Sequence, residues 1–130
     1  MEPVVPAQVL IADDSPTIRG FVKIALRGLA IELVEAEDGA QGLEKARASQ
    51  CALALVDVQM PNLDGLGLLR ALREDPREDL RKLPVLLLTA ERGEDVKAQA
   101  EALGAAGFLM KPLQLAAVRA EVEKLLGGPA

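Results

Sequence analysis

Five short apolar runs, each followed by a stretch with helical periodicity, constrain this chain more than any other feature. The runs fall at residues 8–12, 31–36, 52–57, 84–89 and 107–110. The first, third and fourth are apolar at almost every position, as strands covered on both faces must be. Residues 31–36 instead alternate apolar side chains with Glu32 and Glu35, which reads as an edge strand with one face in water. Strands alternating with crossover helices build a parallel sheet, and right-handed connections place helices on both of its faces. Strand order 2-1-3-4-5 puts the alternating strand at an edge and the continuous ones inside. The expected fold is therefore a doubly wound (βα)5 α/β three-layer sandwich of flavodoxin-like order, whose topological switch point lies between strands one and three.

The helical stretches carry their own punctuation. Ser15-Pro16 supplies an N-cap followed by proline at the first helical position. Ile18, Phe21, Val22, Ala25, Leu26 and Leu29 then recur at three- and four-residue spacings. Asp38-Gly39 turns into a second helix near residues 40–49, with Leu43 and Ala46 inward. Asp64 is placed to cap a third helix that turns Leu66, Leu69 and Leu72 to the core. Residues 74–82 are charged and contain Pro76, so they read as a solvated connection. A fourth helix near residues 95–103 has a thin apolar face of Val96, Ala100 and Leu103. The fifth helix carries Leu115, Val118, Val122 and Leu125 until Gly127-Gly128 stops it.

Chemistry concentrates where the apolar runs stop. Asp13-Asp14 follow the first run, Asp57 closes the third, Thr89 closes the fourth, and Lys111-Pro112 follow the fifth. In an open parallel sheet these ends share one edge, and ligands bind in the crevice there. Taken singly, the residues have ordinary readings. Asp13-Asp14 would serve as solvated turn residues, Thr89 as a β-branched strand residue and Lys111 as a surface lysine. Asp57 is harder to dismiss, because a carboxylate ending a buried strand faces desolvation unless something compensates it. Joint placement at four strand ends gathers three carboxylates, a hydroxyl and an ammonium, a set suited to a metal ion and a phosphoryl group. Three clustered carboxylates repel one another, so at least one should resist ionisation, with Lys111 opposing that.

Composition excludes several classes. Half of the 130 residues are hydrophobic, against disorder. No apolar run approaches the roughly 20 residues needed to span a bilayer, and the N-terminus lacks the layout of a secretory signal. Net charge −5 argues against a nucleic-acid surface. The single cysteine, Cys51, opens an apolar strand and reads as a small core residue, which fits a reducing cytoplasm. The chain has no histidine, so it can neither donate phosphate from an imidazole nor build an imidazole metal site.

The arrangement Asp13-Asp14, Asp57, Thr89-Ala90 and Lys111-Pro112 resembles the receiver domain of two-component response regulators. Met60-Pro61-Asn62-Leu63-Asp64-Gly65 is similar to the loop that follows the phosphoacceptor in that family. The segment from Asp13 to Arg19 resembles stand-alone, CheY-like members of chemotaxis and motility pathways, and the likeness extends from Gln8 to Leu126 within a single receiver domain. It implies that Asp57 accepts a phosphoryl group from a sensor histidine kinase, forming an acyl phosphate. Asp13, Asp14, Asp57 and the Gln59 backbone carbonyl would hold Mg²⁺. Lys111 and Thr89 would contact the phosphoryl oxygens, and Phe108 would be the switch aromatic. Gln59 and Glu91 match positions that tune dephosphorylation. Output would pass to a protein target through the face made by the fourth helix, fifth strand and fifth helix, by phosphotransfer and autodephosphorylation rather than catalysis on an external substrate.

Two rival readings are weaker on the residues. A phosphatase of the haloacid dehalogenase type needs Asp-x-Asp after the first strand, whereas here the two acids are adjacent. A flavodoxin-like cofactor binder needs a phosphate-cradling loop, where Asp13-Asp14 would repel phosphate. A receiver belonging to a longer regulator fits the same motifs equally well, with Gly127-Gly128-Pro129-Ala130 read either as a natural terminus or as the start of a linker.

Overall fold

A computed structural model of the chain describes residues 6–90 and 94–127. Its elements run β1 (Ala7–Ala12), α1 (Pro16–Ala25), β2 (Ile31–Ala36), α2 (Gly39–Arg47), β3 (Cys51–Asp57), α3 (Gly65–Arg73), α4 (Glu78–Arg81), β4 (Val85–Thr89), α5 (Glu94–Ala102), β5 (Gly107–Met110) and α6 (Leu115–Leu125). The five strands form one parallel sheet in the order β2-β1-β3-β4-β5, as the apolar pattern required.

Alternation along each strand feeds two cores. Val9, Ile11, Leu53, Leu55, Leu86, Leu88 and Leu109 pack with Val22, Ala25 and Leu26 of α1 and Val118 and Val122 of α6. Leu10, Ala12, Ala54, Val56, Val85 and Leu87 face the other way, onto α2, α3, α4 and α5. Because both faces are covered, β1, β3 and β4 are buried over residues 9–12, 53–57 and 85–89, and their sequences run almost continuously apolar there. At the edge, β2 keeps Glu32 and Glu35 outside the core.

The caps follow the sequence signals. The Ser15 hydroxyl accepts a hydrogen bond from the Ile18 N–H at 3.2 Å, and the Asp64 carboxylate from the Gly67 N–H at 2.8 Å. Asp38 caps α2, accepting from the Gln41 N–H at 2.7 Å. Arg73, in the last turn of α3, donates to the carbonyls of Leu103 at 2.8 Å and Gly104 at 3.0 Å, and so closes the C-terminal end of α5.

Residues 74–82 depart from expectation. They hold the short helix α4, with Leu80 and Leu83 buried. Asp75 and Arg77 are paired over distance, whereas Glu74, Glu78, Asp79, Arg81 and Lys82 stay exposed as expected. Asp75 is buried, accepting from the Arg77 N–H at 2.9 Å and from Arg47 at 2.8 Å, while Arg77 donates to the carbonyls of Arg47 and Ser49. A four-residue helix is too short to show apolar periodicity, which is why the pattern hid it. Two inward assignments also shift: Leu68 rather than Leu66 is fully buried on α3, and Leu115, in the first turn of α6, is 46 % exposed.

The buried Leu80 gives a direct check. Leu80→Ala should lower unfolding free energy by about 2–5 kcal/mol, as truncations at closed core sites do. Urea denaturation would measure it, and a loss within about 0.5 kcal/mol would restore the solvated connection.

Candidate functional site

The end of β1 sets the first two acids. The Asp13 N–H donates to the Ala36 carbonyl at 3.1 Å, extending the β1–β2 ladder one residue beyond the strand. The Asp13 side chain is fully buried, and one of its oxygens accepts from the Ser15 N–H at 2.9 Å. Arg19, one turn into α1, donates to the Asp13 carbonyl at 2.7 Å. Asp14 follows with its side chain exposed at the lip of the site.

The end of β3 sets Asp57, and a tightly closed loop follows. The Val58 N–H donates to the Leu88 carbonyl at 3.0 Å and the Gly65 N–H to the Val58 carbonyl at 2.9 Å, so the chain returns to its starting point within seven residues. A Cβ on Gly65 would come 2.3 Å from the Asp57 carbonyl oxygen, so only glycine permits this closure. On its far side the loop is held by α2. Asp38 accepts from the Asn62 side chain at 2.7 Å, and Asn62 itself takes a left-handed φ of 68°. The sequence marks Asp38 as a helix start and Asn62 as part of a loop, but not the bond between them; the signal is the N-cap position of Asp38, whose second oxygen is available to a neighbouring loop.

From β5, Lys111 crosses to both acids. Its N–H donates to the Thr89 carbonyl at 2.8 Å, fixing it beside the end of β4, and the Lys111–Pro112 peptide is cis. The ammonium lies 3.2 Å from Asp13 Oδ2 and 3.2 Å from Asp57 Oδ1. One carboxylate oxygen from each of Asp13, Asp14 and Asp57 lies within 4.8 Å of the others. Burial, and then the charge of Asp13, push the Asp57 carboxyl above its ordinary range, while Lys111 and the Gln59 N–H oppose the shift. This is the resistance to ionisation anticipated for one of the three acids.

Asp14, Asp57, Gln59, Thr89 and Lys111 line one cleft of about 740 Å³. Thr89 is buried and Gln59 exposed. Phe108 stands apart from the lining: it is half-buried on β5 opposite Leu87, on the sheet face that Thr89 also shares by alternation. Glu91 lies outside the described residues. The three acids suit a hard divalent cation, since carboxylate oxygens are its preferred donors and an added positive charge relieves their repulsion.

A buried acid at the switch point of a 2-1-3-4-5 sheet, ringed by two further acids, a hydroxyl and an ammonium, defines an acidic cleft on a doubly wound scaffold. The chain belongs to the response regulator receiver domain family, whose pattern matches residues 9–123. It is 35% identical over 119 residues to the chemotaxis protein CheY of Pseudomonas aeruginosa, covering 91% of this chain and 94% of that one. It is 34% identical to chemotaxis protein CheY-3 of Vibrio cholerae over 91% of this chain and 90% of the other. Among solved structures, the chemotaxis response regulator CheY4 of Vibrio cholerae superposes with a TM-score of 0.83 at 31% identity, over 92% of this chain and 98% of that one.

The raised Asp57 carboxyl has a stability consequence. The folded chain retains a proton that the unfolded chain has released, so stability falls as pH rises from the ordinary aspartate range through the raised value. Asp57→Asn removes this penalty. In metal-free buffer at pH 7 the variant should melt about 2–6 °C above wild type, with the difference fading below pH ~4. Equal melting at pH 7 would contradict the placement of Asp57.

Proposed function

We propose that this chain is the phosphoacceptor of a two-component system, with Asp57 taking a phosphoryl group from a sensor histidine kinase and the domain then binding a protein target. The observation that carries this reading is Asp57 itself: a buried carboxylate at the mouth of the cleft, 3.2 Å from the Lys111 ammonium and beside two further acids. An Asp57 oxygen forms the bond to phosphorus as the bond from phosphorus to the donor imidazole nitrogen breaks, and the electron pair stays on that nitrogen. A carboxylate nucleophile making an acyl phosphate is established chemistry, and such transfer depends on positioning and charge neutralisation.

Asp13, Asp14, Asp57 and the Gln59 carbonyl are the ligands for Mg²⁺ in this reading. Bound there, the cation would neutralise charge on the acids and on the incoming phosphoryl oxygens. Lys111 follows those oxygens as a point charge on a flexible stem. Thr89 donates its hydroxyl to one of them. Its movement along the shared sheet face alters the packing available to Phe108 and shifts the balance of conformers presented by α5, β5 and α6. That face receives the target. Phe108 has no hydroxyl, so recognition there works through packing alone.

Gln59 and Glu91 tune the lifetime of the acyl phosphate, and the chain acts on no external substrate. No described helix is long and apolar enough to cross a membrane. A cytoplasmic regulator of chemotaxis or motility is the setting we infer, supported by relatives that carry chemotaxis names.

Intact mass after incubation with acetyl phosphate tests the reading. Wild type should gain one base-labile phosphoryl group only with Mg²⁺, and Asp57→Ala should gain none. Absence of any gain in wild type would remove Asp57 from this role. Thr89→Ala should still take the phosphoryl group, yet lose most of the accompanying change in hydrogen exchange across α5 and β5. An undiminished change in that variant would uncouple Thr89 from the output face.

A further inference from the structure

Within the acidic cluster the three carboxylates are held very differently. Asp13 is fixed on every side: one side-chain oxygen by the Ser15 N–H, the other by Lys111, and its carbonyl by Arg19 at 2.7 Å. Asp57 is tethered by Lys111 and by the Gln59 N–H at 3.3 Å. The Asp14 carboxylate has no hydrogen bond or ion pair among the described residues, although its oxygen falls within 4.8 Å of the other two. Its position rests on the backbone, and the Asp13–Asp14 peptide is the plane that decides where the Asp14 side chain leaves the chain. The group that holds that plane from the side is Arg19.

Arg19 is itself locked. Its Nε donates to Glu35 at 3.1 Å while its Nη1 holds the Asp13 carbonyl, and its side chain is only 13% exposed. Lys23, one turn further along α1, takes the other oxygen of Glu35 at 2.7 Å. Together Lys23 and Arg19 hold the Glu35 carboxyl below its ordinary range, so Glu35 remains an anion across neutral pH. The guanidinium fork is thus spread between a fixed anion on the edge strand and one peptide carbonyl, a use that its rigid planar geometry suits and a lysine does not.

We propose that Arg19, oriented by Glu35, is a positioning residue for the cation site: it fixes the Asp13–Asp14 peptide so that the untethered Asp14 carboxylate faces the other ligands. The inference rests on the reading of Asp13, Asp14 and Asp57 as Mg²⁺ ligands. It also gives the edge strand a part in the site, through Glu35, although β2 places no residue in the cleft.

Electrostatics and positioning make opposite forecasts, which makes the idea testable. Arg19 is a cation beside a cation site. If it acted through charge alone, removing it would tighten Mg²⁺ binding. If it positions Asp14, removing it weakens binding, and partners of ligands in metal sites carry 10–100-fold effects. Calorimetric titration of MgCl₂ into the metal-free chain supplies the measurement, with no phosphotransfer needed. Arg19→Ala should weaken Mg²⁺ about tenfold. Arg19→Lys, which keeps the charge without the fork, should recover only part of the loss. Lys23→Ala removes a Glu35 partner that never touches the Asp13 carbonyl, and its affinity should equal that of wild type.

Should Arg19→Ala fail to fold, Glu35→Gln replaces it, with a smaller loss expected because Arg19 keeps one anchor. Unchanged or tighter binding in the folded Arg19 or Glu35 variants, with wild type binding normally, overturns the positioning role alone. Failure of wild type to bind Mg²⁺ at millimolar concentration overturns the ligand assignment and this inference with it.

Discussion

The Lys111 ammonium, shared between Asp13 and Asp57 at 3.2 Å each, is the interaction on which the site's architecture turns. Two buried carboxylates side by side repel, and each also loses hydration; removing the cation between them would leave uncompensated buried charge. Holding it there demands that the ends of β1, β3 and β5 reach one edge together. The parallel sheet does this for every strand at once, and coverage of both sheet faces keeps its interior dry. The continuous apolar strands, the two cores and the crossover helices are thus requirements of the same electrostatic arrangement.

Precision in the surrounding loops comes from backbone contact more than from side-chain packing. The loop after β3 returns to the strand end through the Gly65 N–H and leaves no room for a Cβ there. Asp38 ties that loop to α2 through Asn62, and Arg19 ties the loop after β1 to β2 through Glu35. Both ties start from residues outside the cleft. The cleft residues therefore sit on a frame whose stiffness is supplied by neighbours that do not line the cleft.

How much of this was legible in the sequence depended on range. Strand order, the edge character of β2 and the convergence of Asp13, Asp14, Asp57, Thr89 and Lys111 all follow from local patterns and a topological rule. Ser15 and Asp64 were readable as caps because a cap acts within three residues. Contacts between residues far apart were not. Asp75 with Arg47, and Arg77 with the carbonyls near Ser49, look in sequence like solvated charge, and α4 with buried Leu80 was concealed among them. Glu35 was taken for the wet side of an edge strand, which it is, yet it also anchors Arg19. Leu115 shows the reverse error, an apolar residue in phase with a helix face but ahead of the point where α6 meets the sheet.

The bonds from Arg73 to the carbonyls of Leu103 and Gly104 have a mechanical corollary. They tie the turn after α5 to α3, while Val96 and Ala100 hold the helix itself against the core on that side of the sheet. The entry to β5, which starts at Gly107, is thereby set from α3 as well as from the sheet ladder.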